Sequence, residues 1–290
     1  MNLRKVGRLL RETFKQWQED KASRIAAALA YYTVFSISPL LVIAIAIAGA
    51  FFGQQTAQDQ IIAQATDLVG KDAVKPILLA LDNISQPEIR GIASLISIGV
   101  LLLGASGIFA QLQDALNTVW KVKPQPGQGV GIFIRKRISS FLMVLAIGFL
   151  LILSLILSAI VSALSKYRTD FLPGSAILWE NLDFIVSLGL MTFLFCLMFK
   201  YVPDVKIAWK DVVVGSVITA LLFLFGKFLL GVYISKGSLG SAYGAAGSLI
   251  VFLAWVYYSA QIVLLGAEFT QVYTRMYGSK VRARKYSQID

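Results

Sequence analysis

The chain has 290 residues, 57% of them hydrophobic and only 15% charged, with a formal net charge of +11. A soluble domain carries roughly a quarter of its residues as charges, and several apolar runs here exceed the about 20 residues that cross a bilayer, so the composition is that of a polytopic membrane protein. The absence of histidine and the single cysteine, Cys196, exclude an intrachain disulfide, a zinc centre of His and Cys ligands, and a nucleophile activated by imidazole.

The arm, residues 1–25, repeats Leu3, Val6, Leu10, Phe14 and Trp17 at helical spacing with Arg and Lys between them. That pattern predicts an amphipathic helix lying on the membrane surface, a plain packing helix being the blander alternative. The arm lacks the apolar core and small-residue site of a cleavable signal, so the first span is expected to serve as the insertion signal.

Residues 26–270 are expected to form the membrane domain: an all-α polytopic helix bundle of six transmembrane helices. The spans are Ala26 to Phe52, Gly91 to Ala110, Phe141 to Leu164, Leu182 to Phe199, Val212 to Tyr233 and Gly244 to Phe269. Helix is required because lipid offers no partner to free backbone groups, and the runs lack the alternation of a barrel. The external loop, residues 53–90, holds "QDQIIAQATDLVG" and "VKPILLALDNI", read as two short amphipathic helices. "GQGVG" (Gly127 to Gly131) lacks the lysine of a phosphate loop and reads as a flexible connection. Residues 271–290 form a basic tail.

Lys and Arg set the orientation. Of the 27, the arm, the second and fourth loops and the tail hold 20, the opposite loops hold 6, and Lys227 lies inside the fifth span. Both termini are therefore expected in the cytoplasm. The positive charge is a topology signal that also suits anionic lipid headgroups; nucleic acid is not needed to explain it.

Ionisable groups inside a membrane usually face protein or water. Two stand out, Lys227 and Glu268. Asp183 and Glu180 are the expected partners of Lys227, and Arg24 that of Glu268, either as single structural ion pairs or as parts of a site. Gly247, Ala254, Tyr257, Gln261 and Glu268 share one arc of the sixth span; Ser216, Ala220, Lys227 and Gly231 share a face of the fifth; Gly99, Ser106 and Ala110 align with Gln113 and Asn117. These faces are expected to point inward, lining a polar cavity or simply packing. In "AAALAYYTVFSISPLL" (Ala26 to Leu41), Pro39 cannot donate to the carbonyl of Phe35, which predicts a kink there. Tyr32, Ser36 and Pro39 share one face and are candidate cavity or gating residues, together with Lys227, Tyr257, Gln261 and Glu268.

That stretch resembles the first span of the YihY/BrkB family of bacterial inner-membrane proteins. "LQDALNTVWKV" (Leu112 to Val122), "YVPDVKIAWKDVVVGS" (Tyr201 to Ser216) and "SAYGAAGSLIVFLAWVYYSAQIVLLGAEFTQVY" (Ser241 to Tyr273) resemble it in order. The resemblance implies six helices with both ends cytoplasmic, and draws attention to Arg24, Tyr31, Tyr32, Ser36, Pro39, Asn117, Trp120, Pro203, Tyr243, Gly244, Trp255, Tyr257 and Glu268. One branch of the family is linked to virulence and another to export of lipid or lipopolysaccharide precursors. An older label, ribonuclease BN, is regarded as a misassignment, and a chain with no histidine and no cytoplasmic acid cluster is not expected to be that enzyme. The expectation is a transporter or exporter of a lipid or other anionic envelope component, with membrane lipids as partners and no metal or cofactor. The alternative is a non-transporting scaffold for envelope assembly. The sequence sets no oligomeric state.

Overall fold

The structure is a computed structural model that describes residues 3–69, 71, 74–84, 107–124, 176–236, 246–279, 281–284 and 287–289. In chain order the elements are α1 (Leu3–Glu19), α2 (Ala22–Phe52), α3 (Gln54–Val69) and α4 (Lys75–Ile84). Then follow α5 (helical over 107–119), β1 (Val122–Pro124), α6 (Ala176–Tyr201), β2 (Val205–Lys206), α7 (Trp209–Lys236), α8 (Gly247–Tyr277), β3 (Arg282–Ala283) and β4 (Ser287–Ile289).

Three described helices are long and apolar enough to cross a membrane: Phe184–Tyr201 in α6, Trp209–Leu230 in α7, and α8. α2 makes a fourth if its two arms count as one span. It bends by 57° between Ala22–Ile37 and Leu40–Ala50, bracketing the proline whose missing N–H breaks the helical ladder. Of the six expected spans, Phe141 to Leu164 and most of Gly91 to Ala110 lie outside the described residues. The two short helices expected in residues 53–90 are α3 and α4. A tight corner leads into α3: Gly53, at φ 83, donates its N–H to the Gly49 carbonyl at 2.9 Å. A Cβ on Gly49 would sit 3.3 Å from the Gln54 backbone.

α8 is the hub, packing on α7, α2, α1 and α4. Its apolar contacts fall into three groups. Ala260, Leu264 and Ala267 join Leu29 of α2, Leu116 of α5 and Phe199 of α6. Val251, Phe252 and Val256 join Leu41 and Ile45 of α2 and Ile77 of α4. Phe269 and Val272 hold Leu9 of α1. Phe252 and Val256 are therefore core, whereas Ala254 of the expected inward arc is exposed. A central helix contacted from several sides has no single inward stripe.

The seam between α7 and α8 is antiparallel and built on glycine. A Cβ on Gly215 would lie 2.7 Å from the Cβ of Thr270, and one on Gly266 would lie 2.8 Å from the Cβ of Thr219. Each threonine hydroxyl donates to the glycine carbonyl of its own helix: Thr219 to Gly215 at 2.7 Å and Thr270 to Gly266 at 2.6 Å. The backbones thus approach closely with both threonine hydroxyls satisfied.

Two expectations need correction. The sixth helix does not stop at Phe269 but runs on to Tyr277, because Val272 and Phe269 still have α1 to pack against. The first residues of the basic segment 271–290 therefore belong to α8. After α8 the chain forms two short antiparallel ribbons, β4 on β1 and β3 on β2. The all-α expectation omits these ribbons because strands this short carry no readable alternation.

Candidate functional site

Glu268 lies on α8 with no solvent exposure, and neither of its carboxylate oxygens has a hydrogen-bond donor. It sits at the end of the bundle where α1 meets α2 and α5 ends. The charged groups acting on it are Asp20, Lys121 and Arg275. Asp20 belongs to the turn between α1 and α2. Its carboxyl lies within hydrogen-bonding reach of Glu268, and its Oδ1 accepts from Lys121 Nζ. Its Oδ2 is buried without a donor.

Local structure fixes these positions. α1 closes with the Asp20 N–H on the Gln16 carbonyl at 2.9 Å, and the chain then turns at Lys21, whose φ is 53. α5 ends in the same way at Lys121, φ 54, after the Trp120 N–H bonds the Leu116 carbonyl at 3.0 Å. Left-handed backbone is uncommon for side chains other than glycine, asparagine and aspartate. Here both instances flank one carboxyl pair. Trp120, next to Lys121, and Ala22 and Ala26, just after Asp20, are buried in the main apolar cluster, on which Trp17 packs; the Nε1 atoms of Trp17 and Trp120 are buried without acceptors. A buried charge with no donor costs several kcal/mol, on the order of what a partner would return.

Arg24 is exposed and is not among the charges acting on Glu268. The expected Arg24–Glu268 pair is thus replaced by Asp20 with Lys121, because α2 turns Arg24 outward and α1 delivers Asp20 instead. Arg275 pairs with Glu12 of α1 at 3.9 Å. Lys227 is half-buried on α7, and the side chain of its expected partner, Asp183, lies outside the described residues. Ser36 is buried, and its hydroxyl and the Tyr32 ring face Gly107 of α5. Tyr31 and Phe35 are exposed, with ring centroids 4.8 Å apart. Only the backbone of Pro39 is described. Tyr257 and Gln261 are half-buried on α8, and Gln261 Oε1 is buried without a donor. No hydrogen bond joins the Glu268 carboxylate to Tyr32, Ser36, Lys227, Tyr257 or Gln261.

A second polar cluster lies at the same end. Asn117 Nδ2 donates to Asp204 Oδ2 at 3.0 Å, the Asp204 N–H donates to Asn117 Oδ1 at 2.8 Å, and Gln113 Nε2 reaches both Asp204 oxygens at 3.2 Å. Pro203, buried, sets the turn that presents Asp204. Arg284 ties β3 to this turn through its N–H on the Asp204 carbonyl at 3.0 Å. Asn117 and Gln113, expected on a cavity stripe, are thereby used in holding α5 to the turn between α6 and α7. Trp120 is buried and Trp255 half-buried; Tyr243 and Gly244 lie outside the described residues.

Sequence reading missed Asp20, Lys121 and Asp204. Asp204 had a signal, since Pro-Asp marks a turn. Asp20 and Lys121 are 101 residues apart, and no local pattern links them.

The family model described as "Virulence factor BrkB" matches residues 13–288. A UPF0761 membrane protein of Methylibium petroleiphilum is 30% identical over 279 residues, covering 89% of this chain and 64% of its own length. UPF0761 membrane proteins of Pseudomonas aeruginosa and Ralstonia nicotianae are 29% and 27% identical, covering 86% and 92% of this chain and 58% of their own lengths. The chain thus spans about three-fifths of the length of these curated relatives. No solved structure matches. With a match across nearly its whole length and helices able to span a bilayer, the chain is an integral membrane protein and belongs to the virulence factor BrkB family.

Proposed function

We propose that this protein is a transporter or exporter of a lipid or other anionic envelope component in the bacterial inner membrane, with both termini in the cytoplasm. The observation that carries the reading is the buried, donor-less Glu268 on the central membrane helix. Such a group costs stability and is expected where a membrane protein binds or passes something. The bent α2 supports it, since many transporters build their binding sites from discontinuous helices. The excess of Lys and Arg on the α1 side supports the orientation.

α1 suits contact with anionic headgroups. Leu10 and Phe14 stay exposed while Leu9 packs on α8 and Thr13 is buried, and Arg4, Arg8, Arg11 and Lys15 are all exposed. The reading is non-enzymatic and involves no nucleic acid; a sequence without histidine supports it.

The scaffold reading has one observation in its favour, the interlocked α7–α8 seam. Reconstitution separates the two. Purified protein in liposomes should move a labelled anionic lipid between leaflets faster than empty liposomes, and a zwitterionic lipid less. A rate equal to empty liposomes for both lipids, from folded protein, favours the scaffold.

A further inference from the structure

We propose that Asp20 and Glu268 form a two-carboxyl site that binds a single proton, with Lys121 holding Asp20 in place. Two carboxyl groups lie within hydrogen-bonding reach of each other, yet three of their four oxygens are buried and meet no donor. Two acceptors make a hydrogen bond only when one of them carries a proton. A proton on Glu268, shared with Asp20, supplies the missing donor and removes the repulsion between two buried charges. The fourth oxygen, Asp20 Oδ1, is already taken by Lys121.

The neighbours favour a proton over a metal ion. Lys121 and Arg275 bring positive charge from the end of α5 and from α8 itself, the latter paired with Glu12 of α1. Among the described residues no three carboxylate, thiol or imidazole groups converge as metal ligands. The proton comes from water and returns to it, so no other reactant is required. The site joins three elements distant in sequence: the α1–α2 turn, the end of α5 and the last third of the hub helix. Loss of the proton leaves two facing charges and pushes the turn away from α8, which gives α1 a protonation-dependent position.

This inference deepens the transport reading by naming the coupled ion, and its test does not depend on lipid movement. Infrared difference spectra of the full chain in nanodiscs, taken on exchange from light to heavy water, should contain one buried protonated-carboxyl band. The band should vanish in both Glu268→Gln and Asp20→Asn and persist in Glu12→Gln. Carbon-13 labelling of glutamate or aspartate carboxyls in the wild type should shift it, which keeps the test valid if a variant misfolds. No such band in folded wild type, a band that survives Glu268→Gln, or a band displaced by added sodium at constant pH would each overturn the assignment.

Discussion

Thr219 of α7 packs directly on Gly266 of α8, and one helical turn away Thr270 of α8 packs on Gly215 of α7. The relationship is reciprocal, so each helix supplies one knob and one gap. A methyl at either glycine has no room, because the threonine Cβ that blocks it is fixed by its backbone and by its hydroxyl bond to Gly215 or Gly266. Gly266→Ala and Gly215→Ala should each destabilise the bundle by about 1–3 kcal/mol. Adding Thr219→Ala should recover part of the Gly266→Ala loss. Thermal unfolding in nanodiscs reads both, and additivity in the double variant would refute the direct contact.

Asn117→Ala removes two hydrogen bonds from Asp204 and leaves the Gln113 contacts in place. A stability loss of about 2 kcal/mol is expected from the two lost bonds to a charged acceptor. Glutamine, a longer side chain with the same groups, should restore little of it. Chemical denaturation of the purified variants is the measurement.

Asp211 is buried in the first turn of α7, where its Oδ2 accepts the Ser279 N–H at 2.9 Å just beyond the end of α8. It pins the chain where α8 gives way to the ribbons. Asp211→Ala should cost about 1 kcal/mol and speed proteolytic cleavage after Tyr277. Cleavage at the wild-type rate would show that the ribbons hold this segment without it.

Lys121→Ala leaves Asp20 facing Glu268 without its cation. A loss of about 1–3 kcal/mol is expected, below the value for a fully buried pair because the Lys121 side chain is 34% exposed. Asp20→Asn in the same chain should cancel most of that loss. A thermal-melt double-variant cycle showing no coupling would separate the two residues.

Much of this architecture is legible from residue types alone. Lipid forces helices, so long apolar runs mark α6, α7 and α8, and Pro39 marks the bend in α2. What extends beyond the membrane is less legible. α8 runs past Phe269 because α1 covers it, and α1 itself shows two faces, Leu9 with Thr13 and Leu10 with Phe14, where periodicity suggests one. Glu268 is conspicuous as an acid in an apolar run. Its true neighbours are not, since Asp20 and Lys121 read locally as ordinary polar residues at helix ends. The nearest cation in the expected topology, Arg24, is the one that the rotation of α2 points away.

The central claim is that Glu268 serves transport and does not merely hold the bundle together. The most direct measurement sets anionic-lipid movement in liposomes against the melting midpoint for Glu268→Gln. The amide keeps the shape and offers Asp20 a donor. The account predicts an unchanged or raised midpoint with lipid movement reduced to the level of empty liposomes. Lipid movement at the wild-type rate, or a loss that only follows a lowered midpoint, would contradict it.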